Sequence, residues 1–253
     1  MIENLIVSGC SFTETTTSGW ADQISNKFKP KKFINLAKSG SGNFYIADSL
    51  IQCLLTEKLV PSKTLILVMW TGMTRKDICV SKDYFKILDQ TSSTKKYDQY
   101  YALSGGIQGS WQLDLNRSNV FKWFIHPLFD SLYKATDYAS LSHDTLSNMI
   151  STKSFLELHG YNYRFMSYVN YWGVGPQQVS PNLDFNIKEF IPNDPLLGLV
   201  GDEWIWADDD NMCFYEFSKQ RNLLSDDNFH PSEDAHKLFA DTVILPQLQG
   251  YFK

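Results

Sequence analysis

The sequence predicts an α/β fold built on a central parallel sheet, and three observations carry that expectation. Asn4-Leu5-Ile6-Val7-Ser8 is a short apolar run that ends at Gly9. Thr64 to Trp70 is a longer run, apolar on both faces, as a strand in the middle of a parallel sheet must be. A third short run, Phe33 to Leu36, lies between them, with helix-period segments on either side. The order is therefore β-α-β-α-β, which implies parallel pairing through right-handed crossovers.

After the first strand, Ser18 has the position of an N-cap, and Trp20, Ile24 and Phe28 space out one helix face that Pro30 ends. The second strand runs into Ala37-Lys38-Ser39-Gly40-Ser41-Gly42-Asn43, a glycine-rich turn. A helix follows to about Glu57, with Tyr45, Ile46, Leu50, Cys53 and Leu54 inward, and Pro61-Ser62 turns the chain into the central strand. Residues 76–117 break the pattern: they are polar, carry Gly105, Gly106 and Gly109, and read as an insertion of irregular and short β structure. Helical stretches are expected at about 118–136 and 140–158, the second stopped at His159-Gly160. Tyr161 to Val169 alternates as a fourth parallel strand. Residues 170–212 read as a second loop-rich insertion, with Trp172, Trp204, Trp206 and the run Asp208-Asp209-Asp210. Phe214 to Gln220 forms a short helix, and Ser232 caps a closing helix to about Leu245 that Pro246 stops. All of 1–253 is expected to form a single domain carrying two insertions.

Composition narrows the function. The chain has 253 residues, 43 % apolar and 20 % charged, enough for a sizeable core. A net charge of −5 argues against nucleic acid as a partner, because phosphate binding needs clustered Lys and Arg. The four cysteines, Cys10, Cys53, Cys79 and Cys213, show no C-x-x-C spacing and fit a reducing compartment. No signal peptide is visible and no apolar run reaches the ~20 residues of a membrane span, so the chain is expected in the cytoplasm where it is made. Asp208 to Asp210 lack the alternating ligands and bidentate Glu of a calcium loop and read as a solvated turn. No metal and no cofactor are expected.

The chemistry gathers at strand ends. A hydroxyl nucleophile needs a base in reach, an orienting partner for that base, and donors for the oxyanion. Ser11 follows the first strand, Gly40 follows the second, and Asp227 and His230 share the loop before the last helix. His126-Pro127 imitates the His230-Pro231 pair but has Trp123 where an acid would stand. His143, His159 and His236 read as surface or helix-end residues. Arg75 is read either as a ligand for an anionic or polar substrate group or as the partner of Asp77. The tryptophans Trp172, Trp204 and Trp206 either line a sugar groove or cover the insertion.

By blocks, the sequence resembles the SGNH (GDSL-type) hydrolase superfamily. Gly9-Cys10-Ser11-Phe12-Thr13 is similar to the nucleophile block, Asn35 to Gly40 to the glycine block, and Asp227 to Pro231 to the Asp-x-x-His-Pro block. The resemblance implies a flavodoxin-like three-layer α/β/α fold without a metal, and hydrolysis of esters through an acyl-serine. It makes Ser11 nucleophile and oxyanion donor, Gly40 an oxyanion donor, His230 the base and Asp227 its partner. Two departures stand out. The usual Asp before the serine is Cys10, and the Gly-x-Asn-Asp expected after the third strand is Gly72-Met73-Thr74-Arg75. Met73 cannot donate, so Asn43 is expected as the third oxyanion donor, with Thr71 as its competitor and Thr71 and Arg75 contacting substrate. The pattern Trp70-Thr71-x-x-x-Arg75 looks like that of SGNH-like proteins encoded by tailed phages, which implies a possible place in a virion. The expected activity is a serine esterase on small acyl esters, O-acetylated carbohydrate foremost. The rival is a catalytically idle SGNH-like binding or structural module of a larger assembly; an acyltransferase on the same residues is a third reading.

Overall fold

The computed structural model describes residues 1–14, 18–80, 101–106, 131, 135–171, 187–208 and 212–251, without the side chains of 78–80 and 101–106. Trp172, His126, Asp209, Asp210 and most of the helix expected at 118–136 lie outside the described residues.

Four strands form one parallel sheet: β1 (Asn4–Ser8), β2 (Lys32–Asn35), β3 (Thr64–Trp70) and β6 (Asn162–Ser167), in the order β2-β1-β3-β6. In register, Ser8 lies beside Val68 and Trp70 beside Ser167. Every residue of β3 is buried, because it is flanked by strands on both sides and by helices on both faces. Each large apolar side chain there contributes roughly 1.5–3 kcal/mol. The chain steps from β1 outward to β2 and then back past β1 to β3. With right-handed crossovers this reversal puts α1 (Trp20–Phe28) and α2 (Asn43–Glu57) on opposite faces. The long helix α3 (Tyr138–Leu158) packs on α2, and α1 packs on the C-terminal helical run. The result is the three-layer flavodoxin-like arrangement. The reversal also opens a crevice between the carboxyl ends of β1 and β3, where open α/β sheets place their ligands.

Several local expectations are corrected. Gly19, not Ser18, is the N-cap of α1, and Asp22 accepts from the Gly19 N–H at 3.1 Å. The Ser18 hydroxyl turns instead to Glu233, 3.5 Å away. Part of the first insertion is an antiparallel hairpin of β4 (Arg75–Val80) and β5 (Tyr101–Gly106). The second insertion includes α4 (Ile187–Phe190) and also feeds the sheet. The Phe165 N–H donates to Glu203 O and the Ile205 N–H to Phe165 O, both at 2.8 Å, so Trp204 sits as a fifth parallel position beyond β6. Trp204 is buried there and stacks on Trp206, centroids 4.9 Å apart.

After α5 (Phe214–Gln220), the closing helix starts at the expected Ser232 cap, whose hydroxyl accepts from Ala235 N–H. Pro246 does not stop it. The run continues as α6 (Glu233–Phe239), a π segment (Ala240–Ile244) and α7 (Leu245–Leu248). A proline has no N–H and crowds the carbonyl four residues earlier. The wider π turn just before it gives the Leu245 N–H the Ala240 carbonyl instead. Among the described residues, no helix is long and apolar enough to cross a membrane.

Candidate active site

Ser11 leaves β1 on a turn that only glycine permits. A Cβ on Gly9 would stand 2.2 Å from Thr13 Oγ1 and 3.2 Å from Met69 O, far inside contact distance. The turn is closed by the N–H groups of Thr13 and Glu14, which donate to Cys10 O at 2.9 and 2.8 Å. Trp20 Nε1 donates to Phe12 O at 3.0 Å. Beside it lies the loop after β2. Lys38 N–H and Ser41 Oγ–H both donate to Gly9 O at 3.1 Å, and Gly40 turns there with φ of +77°, a conformation open to glycine at little cost. Among the described residues, the N–H groups of Ser11 and Gly40 have no acceptor.

The third element is the loop between α5 and α6. Asn228 has φ of +56°, which Asn tolerates in tight turns. Leu224 and Pro231 bridge, and Ser225 N–H donates to His230 O at 2.7 Å, so the loop is pinned at its neck. Asp227 Oδ1 accepts from Ser225 Oγ (2.7 Å), Phe229 N (2.9 Å) and His230 N (2.8 Å). Its Oδ2 accepts from His230 Nδ1 at 2.5 Å, and His230 Nε2 lies 3.0 Å from Ser11 Oγ. Partial burial raises the Asp227 carboxyl. The hydrogen bonds from His230, the two N–H groups and Ser225 outweigh it and hold the group well below the usual carboxylate range. Sequence thus named three residues, Ser11, His230 and Asp227, that the fold brings into one line.

What aligns two elements 219 residues apart is a cluster of rings that sequence reading passed over. Phe12, next to Ser11, is fully buried. It stacks on Tyr168 (4.3 Å) and meets Phe229, next to His230, edge-on (5.4 Å). The two chemical residues are therefore each carried by an aromatic neighbour, and those neighbours pack on each other. The alternation Ser11-Phe12 and Phe229-His230 was the available signal.

The end of β3 departs from expectation. Asn43 is buried and its amide is committed: Oδ1 accepts from Thr71 N at 2.9 Å, and Nδ2 donates to Thr71 O (3.0 Å) and Thr145 Oγ1 (3.3 Å). It ties β3 to α2 and α3 and has no free N–H to turn on an oxyanion. Thr71 Oγ1 is buried and has no partner among the described residues. Met73 is buried, and its sulfur accepts from Ser142 Oγ at 3.2 Å. No direct hydrogen bond or close ion pair joins Arg75 to Asp77, although the Asp77 charge favours the guanidinium. The Asp77 carboxylate caps α2, accepting from Gly42 N and Tyr45 N at 2.8 Å each. Nor is His236 a surface residue. It is 5 % exposed, its Nδ1 accepts from Trp20 N at 3.2 Å, and burial with the nearby His230 lowers its pKa to about 4. Of the other two, His143 is exposed and pairs with Asp194 at 2.7 Å, and His159 ends α3 as expected. Among the described residues, no cluster of His, Cys, Asp and Glu suits a metal ion.

No protein-family model matches the chain, and no curated protein does. Solved structures are similar along the whole chain. TesA is 14 % identical, with 98 % of this chain and 99 % of that one covered, at a TM-score of 0.49. A member of the lipolytic protein G-D-S-L family from Veillonella parvula is 11 % identical over 94 % of each chain, at 0.49. The psychrotrophic esterase EstA from Pseudoalteromonas sp. is 9 % identical over 98 % of each chain, at 0.47.

Proposed function

We propose that this chain is a serine ester hydrolase of the SGNH type, acting on small acyl esters through an acyl-serine. One observation carries the reading: the unbroken line from Asp227 Oδ2 to His230 Nδ1 (2.5 Å) and from His230 Nε2 to Ser11 Oγ (3.0 Å). Both spans suit proton transfer without rearrangement. As Ser11 Oγ attacks the acyl carbon, His230 Nε2 takes its proton. Asp227, kept ionised by its donors, holds the tautomer and balances the imidazolium. The oxyanion is met by the N–H groups of Ser11 and Gly40, with the Thr71 hydroxyl taking the third place that Asn43 cannot fill. His230 then protonates the departing alcohol, and a water repeats the cycle to release the acid. O-acetylated carbohydrate belongs to this substrate class.

The experiment uses 4-nitrophenyl acetate and a fluorophosphonate probe, with the labelled peptide read by mass spectrometry. Turnover together with labelling at Ser11 is expected. A folded protein that shows neither would favour the idle binding module instead.

A further inference from the structure

Two turns carry the backbone donors of the site, and each is closed on itself. The first runs from Cys10 to Glu14. Its Thr13 and Glu14 N–H groups both donate to Cys10 O, at 2.9 and 2.8 Å, and Ser11 stands inside it. The second runs from Lys38 to Ser41. Ser41 N–H donates to Lys38 O at 3.1 Å, and Gly40, the third residue of this turn, has φ of +77°. A type II turn needs such a value at that place. The Ser11 and Gly40 N–H groups, which have no acceptor among the described residues, therefore sit on separate pieces of backbone.

These pieces meet at a buried joint and at an open one. At the buried joint, Gly9 O accepts from Lys38 N–H at 3.1 Å and shares the Ser41 hydroxyl with Lys38 O, at 3.1 and 2.8 Å. At the open joint, the half-buried Glu14 carboxylate accepts from the N–H of the exposed Ser39. A β-turn leaves the N–H of its second residue outside its own hydrogen bond, so that partner has to come from elsewhere. Glu14 ends the turn that holds Ser11, and Ser39 precedes Gly40. Gly9 O alone would be a hinge about which one turn rocks on the other; a second joint removes that freedom. We infer that Glu14 is a positioning residue: by holding Ser39 it sets the Gly40 N–H against the Ser11 N–H, so that both reach one oxyanion. Preorganised donors stabilise developing charge because they need no rearrangement when it forms. The kinetic side of this inference rests on the esterase reading, and the joint itself does not.

The test has two arms on the full chain. In the first, kcat and KM for 4-nitrophenyl acetate are compared in the parent, Glu14→Ala and Glu14→Gln. The alanine variant is expected to lose on the order of tenfold in kcat with KM within about threefold, because the oxyanion exists only in the transition state. Glutamine keeps an oxygen acceptor at the same reach and should hold kcat within about threefold of the parent. Glu14→Asp, one methylene short, stands in for alanine if that variant does not fold. Unchanged kcat in the alanine variant, a change in KM alone, or an equal loss in the glutamine variant would overturn the inference, the last by assigning the effect to charge. In the second arm, amide hydrogen exchange is read residue by residue by NMR in the parent and in Glu14→Ala. Loss of the open joint should speed exchange at Lys38 and Ser41 as well as at Ser39, because the turn then rocks on Gly9 O. Faster exchange at all three upholds the joint even where no ester is cleaved, and the esterase reading is then what fails. Faster exchange at Ser39 alone, or at none of them, means that the turn stays in place without Glu14 and removes the inference even where acetate is cleaved.

Discussion

The carboxyl ends of β1 and β3 lie side by side in the sheet and treat their polar groups in opposite ways. At β1, turn carbonyls, the Trp20 indole and the aromatic pair Phe12–Phe229 fix the backbone, and the side chain of Ser11 is spent on His230. At β3, the backbone is held by the Asn43 amide, while Thr71 Oγ1 and Arg75 Nη1 are buried without a partner among the described residues. Each end keeps open polar groups among the described residues: Thr13 Oγ1 and the Ser11 N–H at β1, Thr71 Oγ1 and Arg75 Nη1 at β3. Buried donors without acceptors are costly unless a ligand or water answers them. The difference is that the β1 end commits its outward hydroxyl to His230, whereas the β3 end commits none of its own.

The comparison is broken most directly at β1. Ser11→Ala should lower kcat on 4-nitrophenyl acetate by on the order of 10⁴-fold or more and abolish fluorophosphonate labelling. Retained turnover would move the nucleophile away from β1. Asp227→Asn should cost on the order of 10³–10⁴-fold in kcat, since His230 loses both its tautomer and its counter-charge. A folded variant with unchanged kcat would assign the orienting role elsewhere.

At β3 the expected losses are in stability first. Asn43→Ala strands the Thr71 N–H and C=O in the core and should cost about 3 kcal/mol in urea unfolding. Thr71→Val removes a hydroxyl that has no partner among the described residues. It should leave stability unchanged or raise it by up to about 1 kcal/mol. Its kcat should fall on the order of 100-fold if that hydroxyl meets the oxyanion. A large kcat loss in Asn43→Ala at full stability would reverse these two roles.

The β1 side has a weakness at low pH. His236 holds the Trp20 N–H, and Trp20 in turn holds Phe12 O beside Ser11. Its pKa falls from 6.5 to about 4 on folding. The unfolded chain therefore binds the extra proton first as pH drops. Stability is full above about 6.5 and declines toward pH 4, by up to about 3 kcal/mol for this group. Asp227, held below the usual carboxylate range, adds its loss only at lower pH still. Urea midpoints from pH 7.5 to 4 should show the decline in the parent protein and a shallower one in His236→Gln. Parallel curves would mean that His236 is not the titrating group.

Much of the β1 end was legible in the chain. Apolar runs mark β1 and β3 because a strand covered on both faces has no polar positions to offer. Asp227 and His230 stand three apart in one loop, so one turn presents both. The β3 end was not legible. Asn43 has the right amide at the right turn, yet the unpaired backbone of Thr71 claims it. Asp77 stands two residues from Arg75, yet the first turn of α2 claims its carboxylate.

Sequence by itself determined the order of the four sheet strands, their parallel pairing, the glycine turn before Ser11 and the pairing of Asp227 with His230. Each follows from local period, turn chemistry or short spacing. Tertiary structure decided that Phe12 and Phe229 carry Ser11 to His230, that Trp204 extends the sheet, that Pro246 rides on a π turn, and that Arg75 Nη1 meets no acceptor among the described residues. A side chain's donors and acceptors go to whichever buried groups the packed chain brings nearest. That competition runs between residues far apart in sequence, where spacing carries no information.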